Sequence, residues 1–462
     1  MRFMIRHFDE GAKLSDEARL AAIEKAVPHS VVQDVVRDLG VGEQRRRKLP
    51  AELTLMLAVA MNLFTHYPLH QVLIKLLKGL RLIWRDPDFV AATKGAICQA
   101  RYRLGATPVA ELFHRVCQPM ATPATPGAFL FGLRLMAIDG TNEDVPDTPE
   151  NAQVFGRPSG ARGDGAFPQI LALHLVECGT HAIVDTGLWP CHSSAHAAAL
   201  CLLRSMTEGM LLMWDTGLHS FDMAARTRNR GAHFLSRVPA FAVFQPVRHL
   251  QDGSFLAYIY PSHHRRKRRE RLLVRVIEYV LTDPNRPGYR ERHRLMTSLL
   301  DTQECPALDI VCAYHERWEV ELVVDETDTH QRLPYHPLRS QKPVAVVQEF
   351  YGLLIAHYAV RYVMHDAALQ AGIDPDRLSF TNALALICDS IYEFQIVDSV
   401  QHPILYQRLL RDIAHHRLPE RANRINPRVV KRKIFRYRVK HKEHWQWPQP
   451  LKTFREAVAL LN

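Results

Sequence analysis

Six residues stand at spacings that could do chemistry in this chain of 462 residues. Asp139 and Asp215 each follow a short apolar run and precede a turn, Gly140-Thr141 in one case and Thr216-Gly217 in the other. That pattern reads as a buried strand with a carboxylate at its C-terminal end, where ligands gather in α/β sheets. Two carboxylates at one sheet edge repel unless a divalent cation lies between them. Hard cations such as Mg²⁺ take one or two carboxylates together with phosphate oxygens. Read alone, each Asp equally suits a turn or a helix cap.

The other four residues are Tyr314, Arg317, Glu321 and Asp328, in a stretch that reads as one long helix from Pro306 to about Thr329. At 3.6 residues per turn all four fall within a sector of about 60°. A carboxylate beside a guanidinium and a phenol suits a nucleic-acid backbone. Glu321 would hold metal while Arg317 and Tyr314 bind phosphate oxygens. The same spacing suits an ordinary polar face with an Arg317–Glu321 pair. Cys191, His192 and His196 lack a fourth ligand at a regular zinc spacing. Ser193 and Ser194 read as helix caps.

Several elements must position these groups. Residues 1–125 read as short helices, with Ser30 capping one that ends at Gly40 and apolar helices over 53–64 and 69–80. Pro123, Pro126 and Gly127 mark a boundary. Strands are then expected at 133–141, 170–177, 181–188, 211–214 and 234–238, helices at 194–208 and 222–230, and a long surface loop at 142–167. This alternation indicates an α/β layer architecture. Over 240–304 the helical signal disappears. Strands at 242–247, 255–260, 272–281 and 294–300 make a β-rich insertion. Further helices occupy 341–415.

Composition sets the bounds. Hydrophobic residues are 47% and charged residues 23%, ordinary for a globular protein and unlike a disordered or fibrous one. The apolar run 53–64 is too short to span a bilayer. No apolar h-region follows the first residues, so no secretory signal is expected. The eight cysteines, with no Cys-x-x-Cys pair, read as reduced core residues of a cytosolic protein. The net charge is +11, and residues 421–462 hold twelve Lys/Arg against two acids. A nearly neutral body with a basic end, interleaved with Phe435, Tyr437, Trp445 and Trp447, points to nucleic acid. The cluster Arg45-Arg46-Arg47-Lys48 is either a phosphate clamp or a charged loop.

Taken together, these motifs resemble a known family. Tyr314-x2-Arg317-x3-Glu321 looks like the Tyr-x2-Arg-x3-Glu-x6-Lys signature of the insertion-sequence-4 family of bacterial transposases. Ala137-Ile138-Asp139-Gly140-Thr141 and Trp214-Asp215-Thr216-Gly217 resemble its first two catalytic acids. Phe155-Gly156-Arg157-Pro158, Leu338-Arg339-Ser340-Gln341-Lys342-Pro343 and Asn426-Pro427-Arg428-Val429-Val430-Lys431-Arg432-Lys433 are further matches. Asp328 departs from the pattern, standing where the family has Lys.

The resemblance implies an α/β fold: a ribonuclease-H-like catalytic domain with a β-rich insertion, an N-terminal helical domain and a helical, basic C-terminal region. The expected divisions are a DNA-binding helical domain over 1–125, catalytic parts over 126–239 and 305–420, the insertion over 240–304 and a basic tail over 421–462. It implies a metal-dependent DNA endonuclease and strand transferase. Asp139, Asp215 and Glu321 would be both catalytic residues and metal ligands for two Mg²⁺ ions, with Mn²⁺ as a substitute. DNA contacts would come from Tyr314, Arg317, Arg45, Arg46, Arg47, Arg265, Arg266, Lys267, Arg268, Arg428, Lys431, Arg432 and Lys433. The partners would be element ends and target DNA, bound by a homodimer in a synapsed complex, with no membrane. The setting would be the bacterial cytoplasm, with nucleoid association. The alternatives are a nuclease without strand transfer and, because of Asp328, a catalytically impaired DNA-binding derivative.

Overall fold

A computed structural model describes residues 3–8, 20–43, 45, 47–83, 91–160, 163–261, 270–332, 336–419, 429–430 and 438–461. The chain folds into two compact units of mixed α/β structure. The first contains residues 1–129, 134–205 and 318–418, and the second 130–133, 206–317 and 419–462.

The first unit is built around two helices that are apolar nearly all round. In Ala51–Ala60 every residue except Glu52 is buried. A helix without a polar face must be enclosed, and its partner is Pro343–Ala371. Pro343 opens that helix, where its missing N–H costs nothing, and Gly372 closes it in the left-handed conformation at φ 63°. By length and hydropathy alone Pro343–Ala371 could cross a membrane, yet 78% of its most apolar window is buried within the protein. It packs on the N-terminal helix Thr107–Val116 and on the C-terminal helices Phe380–Ile396 and His402–His415.

Three antiparallel strands complete this unit: β1 (Leu133–Asp144), β2 (Gln169–Glu177) and β3 (Ala182–Pro190). The register of β1 with β2 runs from Met136↔Glu177 to Asp144↔Gln169. The hairpin joining β2 to β3 turns through Gly179 and His181, both at positive φ.

The second unit is a sheet. Strand β4 (Met210–Trp214) runs parallel to β5 (His233–Arg237), with the helix Phe221–Asn229 between them in sequence. Strands β6 (Pro246–His249), β7 (Phe255–Ile259), β8 (Leu272–Leu281) and β9 (His293–Thr297) form the β-rich insertion. They add to β5 in the antiparallel order β9, β8, β7, β6. The chain returns near its end as β10 (Val458–Leu460), which pairs with β8. Asp283 accepts the backbone N–H groups of Leu451 and Lys452 at 2.7 and 3.0 Å. Residues 451–460 of the basic segment are thus tied into this unit.

Several expectations need correcting. Ser30 is not a cap: the helix His29–Asp38 already begins behind Pro28. The expected surface loop 142–167 holds a helix, Pro149–Phe155, capped by the Thr148 hydroxyl accepting from Asn151 N. Residues 242–245 are not strand, because the Ala242 carbonyl is taken by the Arg294 guanidinium. The helix expected over 194–208 shortens to Ala195–Leu202, though Ser194 caps it as anticipated. Of the cysteines only Cys117, Cys178 and Cys305 are buried.

The long helix expected from Pro306 is interrupted. Ala307–Glu316 ends in a tight turn where Arg317 N donates to Tyr314 O at 3.3 Å, and Glu319–Asp325 then restarts. A wider π-helical turn, Glu326–Gln331, follows. Tyr314 and Arg317 therefore precede this turn in the chain or form it, and Glu321 and Asp328 follow it.

Packing at Gly352 yields a prediction. A Cβ there would stand 2.2 Å from the Ala58 carbonyl oxygen, a backbone atom that cannot swing away. Gly352→Ala should destabilise the protein by about 1–3 kcal/mol, the usual cost of overpacking. A lowered urea midpoint with an unchanged m-value is the expected readout.

Candidate active site

Asp139 does not end its strand. The apolar run stops at Ile138, but the ladder continues, pairing Asp139 with His174 and running five residues further. Asp139 is half-buried, and its Oδ1 accepts from Gly140 N at 2.8 Å. Asp215 does end β4. Its Oδ1 accepts from Gly217 N at 2.8 Å and caps the short turn Thr216–Leu218. A local turn role and an outward carboxylate thus coexist at Asp215.

Around Asp215 the second unit gathers part of the expected constellation. The Tyr314 hydroxyl donates to the Trp214 carbonyl at 3.3 Å, and the Arg317 guanidinium lies 6.0 Å from the Tyr314 ring centroid. Burial pushes the Tyr314 phenol up to about 12, against the opposing influence of Arg317. The phenol therefore stays protonated and keeps its donor role. Tyr314 thus clamps the strand end that carries Asp215.

Asp139 and Glu321 belong to the first unit. Glu321 lies in the first turn of Glu319–Asp325, with Glu321 N bonded to Trp318 O at 3.0 Å, and is half-buried. Its neighbour Glu319 turns inward and is buried.

Asp328 has partners that spacing could not reveal. Arg332 reaches it at 3.4 Å and also pairs with Glu143, which projects from β1. One guanidinium serves two carboxylates. Burial and the Glu143 charge push the Asp328 carboxyl up to about 8, with Arg332 opposing. The base near Asp328 is thus already engaged in a local pair.

Two matched motifs have structural roles. Arg157 donates to the Ala166 carbonyl at 2.7 Å and pairs with Asp147, closing the 147–166 segment. Arg339 donates to the Tyr67 carbonyl at 3.1 Å, and its own N–H donates to Glu349 at 2.9 Å. Among the expected DNA-contacting bases, Arg45 and Arg47 are exposed. Arg46, Arg265, Arg266, Lys267, Arg268, Arg428, Lys431, Arg432 and Lys433 lie outside the described residues.

The Asp328 arrangement fixes a pH dependence. A carboxyl held up in the folded state keeps its proton there while the unfolded chain has lost it. Stability therefore falls with rising pH between about 4 and the folded value of about 8, and levels off above it. Asp328→Asn should remove one proton's worth of that slope. Urea midpoints measured from pH 5 to pH 9 read the difference.

Comparisons with known proteins place the chain in a family. The family model described as the insertion element 4 transposase N-terminal region matches residues 17–114, and that of a transposase DDE domain matches residues 130–359. The transposase InsG of insertion sequence element IS4 from Escherichia coli (strain K12) is 30% identical over 414 residues, covering 88% of this chain and 91% of that protein. The putative transposase InsZ of the same strain is 25% identical over 204 residues, covering 43% of this chain and 64% of InsZ. Among solved structures, a synaptic complex of piggyBac transposase with hairpin DNA is similar at a TM-score of 0.43 and 12% identity, covering 87% of this chain and 85% of that one. With a relative at this identity matched along nearly its whole length, the chain belongs to the insertion-sequence-4 family of DDE transposases.

Proposed function

We propose that this transposase cuts the ends of its element and joins them to target DNA by metal-dependent phosphoryl transfer, using Asp139, Asp215 and Glu321. The observation that carries the reading is the Asp215 strand end, where a carboxylate, a guanidinium and a protonated phenol are assembled within one unit. All three proposed ligands offer carboxylate oxygen, which fits hard divalent cations such as Mg²⁺ and, in substitution, Mn²⁺. Such ions, when two are bound, activate the attacking hydroxyl and stabilise the leaving oxygen.

The chain's own residues supply the rest. Asp139, Asp215 and Glu321 hold the cations. Arg317 contacts the phosphate oxygens that the carboxylates would otherwise repel. Tyr314 keeps the Asp215 strand end in place through the Trp214 carbonyl. In the first step water attacks the phosphorus and the bond to the 3′-oxygen breaks. In the second the freed 3′-hydroxyl attacks a target phosphorus and displaces another 3′-oxygen, with no covalent enzyme link.

The N-terminal segment matched as the family's N-terminal region would bind the terminal repeats, with Arg45, Arg46 and Arg47 on the backbone. The basic turn Arg265, Arg266, Lys267, Arg268 and the run Arg428, Lys431, Arg432, Lys433 would add phosphate contacts. The ribonuclease-H-like architecture, a homodimer holding two ends, and action at the bacterial nucleoid complete the proposal. The match to the transposase DDE domain and to InsG favours an active transposase over an impaired derivative.

Asp139→Asn, Asp215→Asn and Glu321→Gln should each abolish Mg²⁺-dependent cleavage of element ends. End binding in a gel shift should stay within about twofold, because shape is kept and one charge is removed. Near-normal cleavage by any one variant takes that residue out of the metal site.

A second test concerns the basic segment. Deleting 421–462 would remove β10, so the bases are better replaced in place. Replacing Arg428, Lys431, Arg432 and Lys433 by Gln should lower the slope of log affinity against log salt by up to about 3–4, close to 0.9 per lost phosphate contact. A gel-shift series over salt measures it, and an unchanged slope means this run does not touch DNA.

A further inference from the structure

We infer that the first unit holds a second, structural metal site, made of His181 Nε2, a Glu319 carboxylate oxygen and Asp376 Oδ1, that takes a first-row transition cation such as Zn²⁺. These three ligand atoms lie within 4.8 Å of one another, the one such group among the described residues. They come from three separate places: the β2–β3 hairpin, the helix Glu319–Asp325 and the turn Pro375–Arg377.

Glu319 Oε2 accepts the Gly179 N–H, while the other two ligand atoms have no hydrogen-bond partner. His181 is 2% exposed. Its Nε2 is buried and makes no hydrogen bond, and the same holds for Asp376 Oδ1. The two atoms are 3.1 Å apart, and Nε2 lies 3.8 Å from Glu319 Oε2. Ligand atoms bound tetrahedrally to zinc at about 2.0–2.2 Å stand about 3.3–3.6 Å from one another. The present spacing brackets that value.

The surroundings suit a cation as well. His181 adopts φ 59°, a conformation a residue with a side chain rarely takes, and it aims the ring into the cluster. On the far side of the ring, Nδ1 lies 3.3 Å from Glu326 Oε1. A carboxylate accepting from one imidazole nitrogen while the other binds metal is a common support for metal-ligating histidine. The charges also balance. Glu319, Asp376 and Glu326 bring three negative charges, Arg361 brings one positive, and the adjacent Asp374 and Arg377 cancel. A divalent cation makes the cluster neutral.

The rival occupant is a proton. Arg361 also contacts Nδ1. With a proton on Nε2, Nδ1 accepts from Arg361 and the cluster is an ion-pair network. With a cation on Nε2, Nδ1 carries the proton and gives it to Glu326. The two states differ in metal content, which can be measured directly. A bound cation would fix the helix Glu319–Asp325 from its buried side, two residues from Glu321, without taking part in the reaction.

The test uses the full-length chain expressed in zinc-supplemented medium, desalted and assayed for metal by mass spectrometry. About one equivalent of zinc per chain is expected. A chain carrying Asp139→Asn, Asp215→Asn and Glu321→Gln together should keep it, which separates this site from the proposed catalytic one. His181→Gln should lose it, but that residue is buried and its variant can misfold for packing reasons. Asp376→Asn is therefore the deciding variant, because it lies on a partly exposed turn. It should keep the parent's circular dichroism and lose most of its zinc. Chelation by EDTA should lower Tm in the parent and leave Tm of Asp376→Asn unchanged. A parent without zinc, zinc retained by Asp376→Asn, or zinc lost from the triple variant would each overturn the inference.

Discussion

The first unit depends on one buried ion pair, Glu326 with Arg361. Both residues are almost wholly enclosed, and Arg361 Nε donates to Glu326 Oε2 at 2.9 Å beside a second contact from Nη2. Burial alone would raise the Glu326 carboxyl, but Arg361 and His181 hold it well below the usual carboxylate range. His357 Nε2 adds a bond at 2.9 Å. Breaking a buried pair by removing one partner costs about 3–5 kcal/mol, since the other charge stays behind unpaired. Geometry adds to the energetic effect. Glu326 opens the turn after the Glu321 helix, Arg361 and His357 lie on the central helix, and His181 lies in the hairpin. One carboxylate thus fixes three elements that the chain brings from widely separated positions.

Charge is used in two ways in this protein. Inside the first unit several buried charges are paired and hydrogen-bonded. Glu177 is buried, accepts Met120 N, Ala121 N and Thr180 Oγ1 at 3.0, 2.9 and 2.7 Å, and pairs with Arg134. Asp185 is buried against Arg204 and Ser205. These contacts rigidify and lend no affinity for a polyanion. Other charge stands in sequence runs of like sign, such as Arg45-Arg46-Arg47-Lys48 and the basic segment after 420, the runs proposed above to meet DNA. Like charges in a run repel one another, and a phosphate backbone relieves that repulsion while releasing its counterions.

Much of the fold was legible in the sequence where pattern and local chemistry agree. The strands over 170–177 and 181–188, β4 before Asp215, and β8 all carry apolar runs bounded by turn residues. Two or three helices were expected over 341–415, and three α-helices occur there. Other features depend on partners distant in the chain. β1 runs on past Asp139 because β2 offers a ladder there, although apolar residues have ended. The helix Pro149–Phe155 did carry a local signal, Thr148 followed by Pro149, inside a segment dominated by Gly and Pro. The break at Arg317 and Trp318 carried none, since neither residue breaks helices. Nor could spacing show that Asp328 meets Glu143, or that His181 meets Glu319 and Asp376.

That break gives the Tyr-x2-Arg-x3-Glu spacing a physical meaning different from a helix face. On a straight helix, an acid one turn further along would face nearly the same way, so the spacing would be loosely constrained. Here Tyr314 is held at the end of Ala307–Glu316 by its bond to the Trp214 carbonyl. Glu319 is held at the start of the next helix by the Gly179 N–H. Between these anchors the chain has four residues, 315–318, and they contain the tight turn at Arg317. Glu321 then falls in the first turn of its helix, where the helix dipole favours a carboxylate. Within the first unit, the place of Glu321 is set by the Glu319 anchor two residues before it. Shifting it by a helical turn would move it off the end of the helix that stabilises its charge.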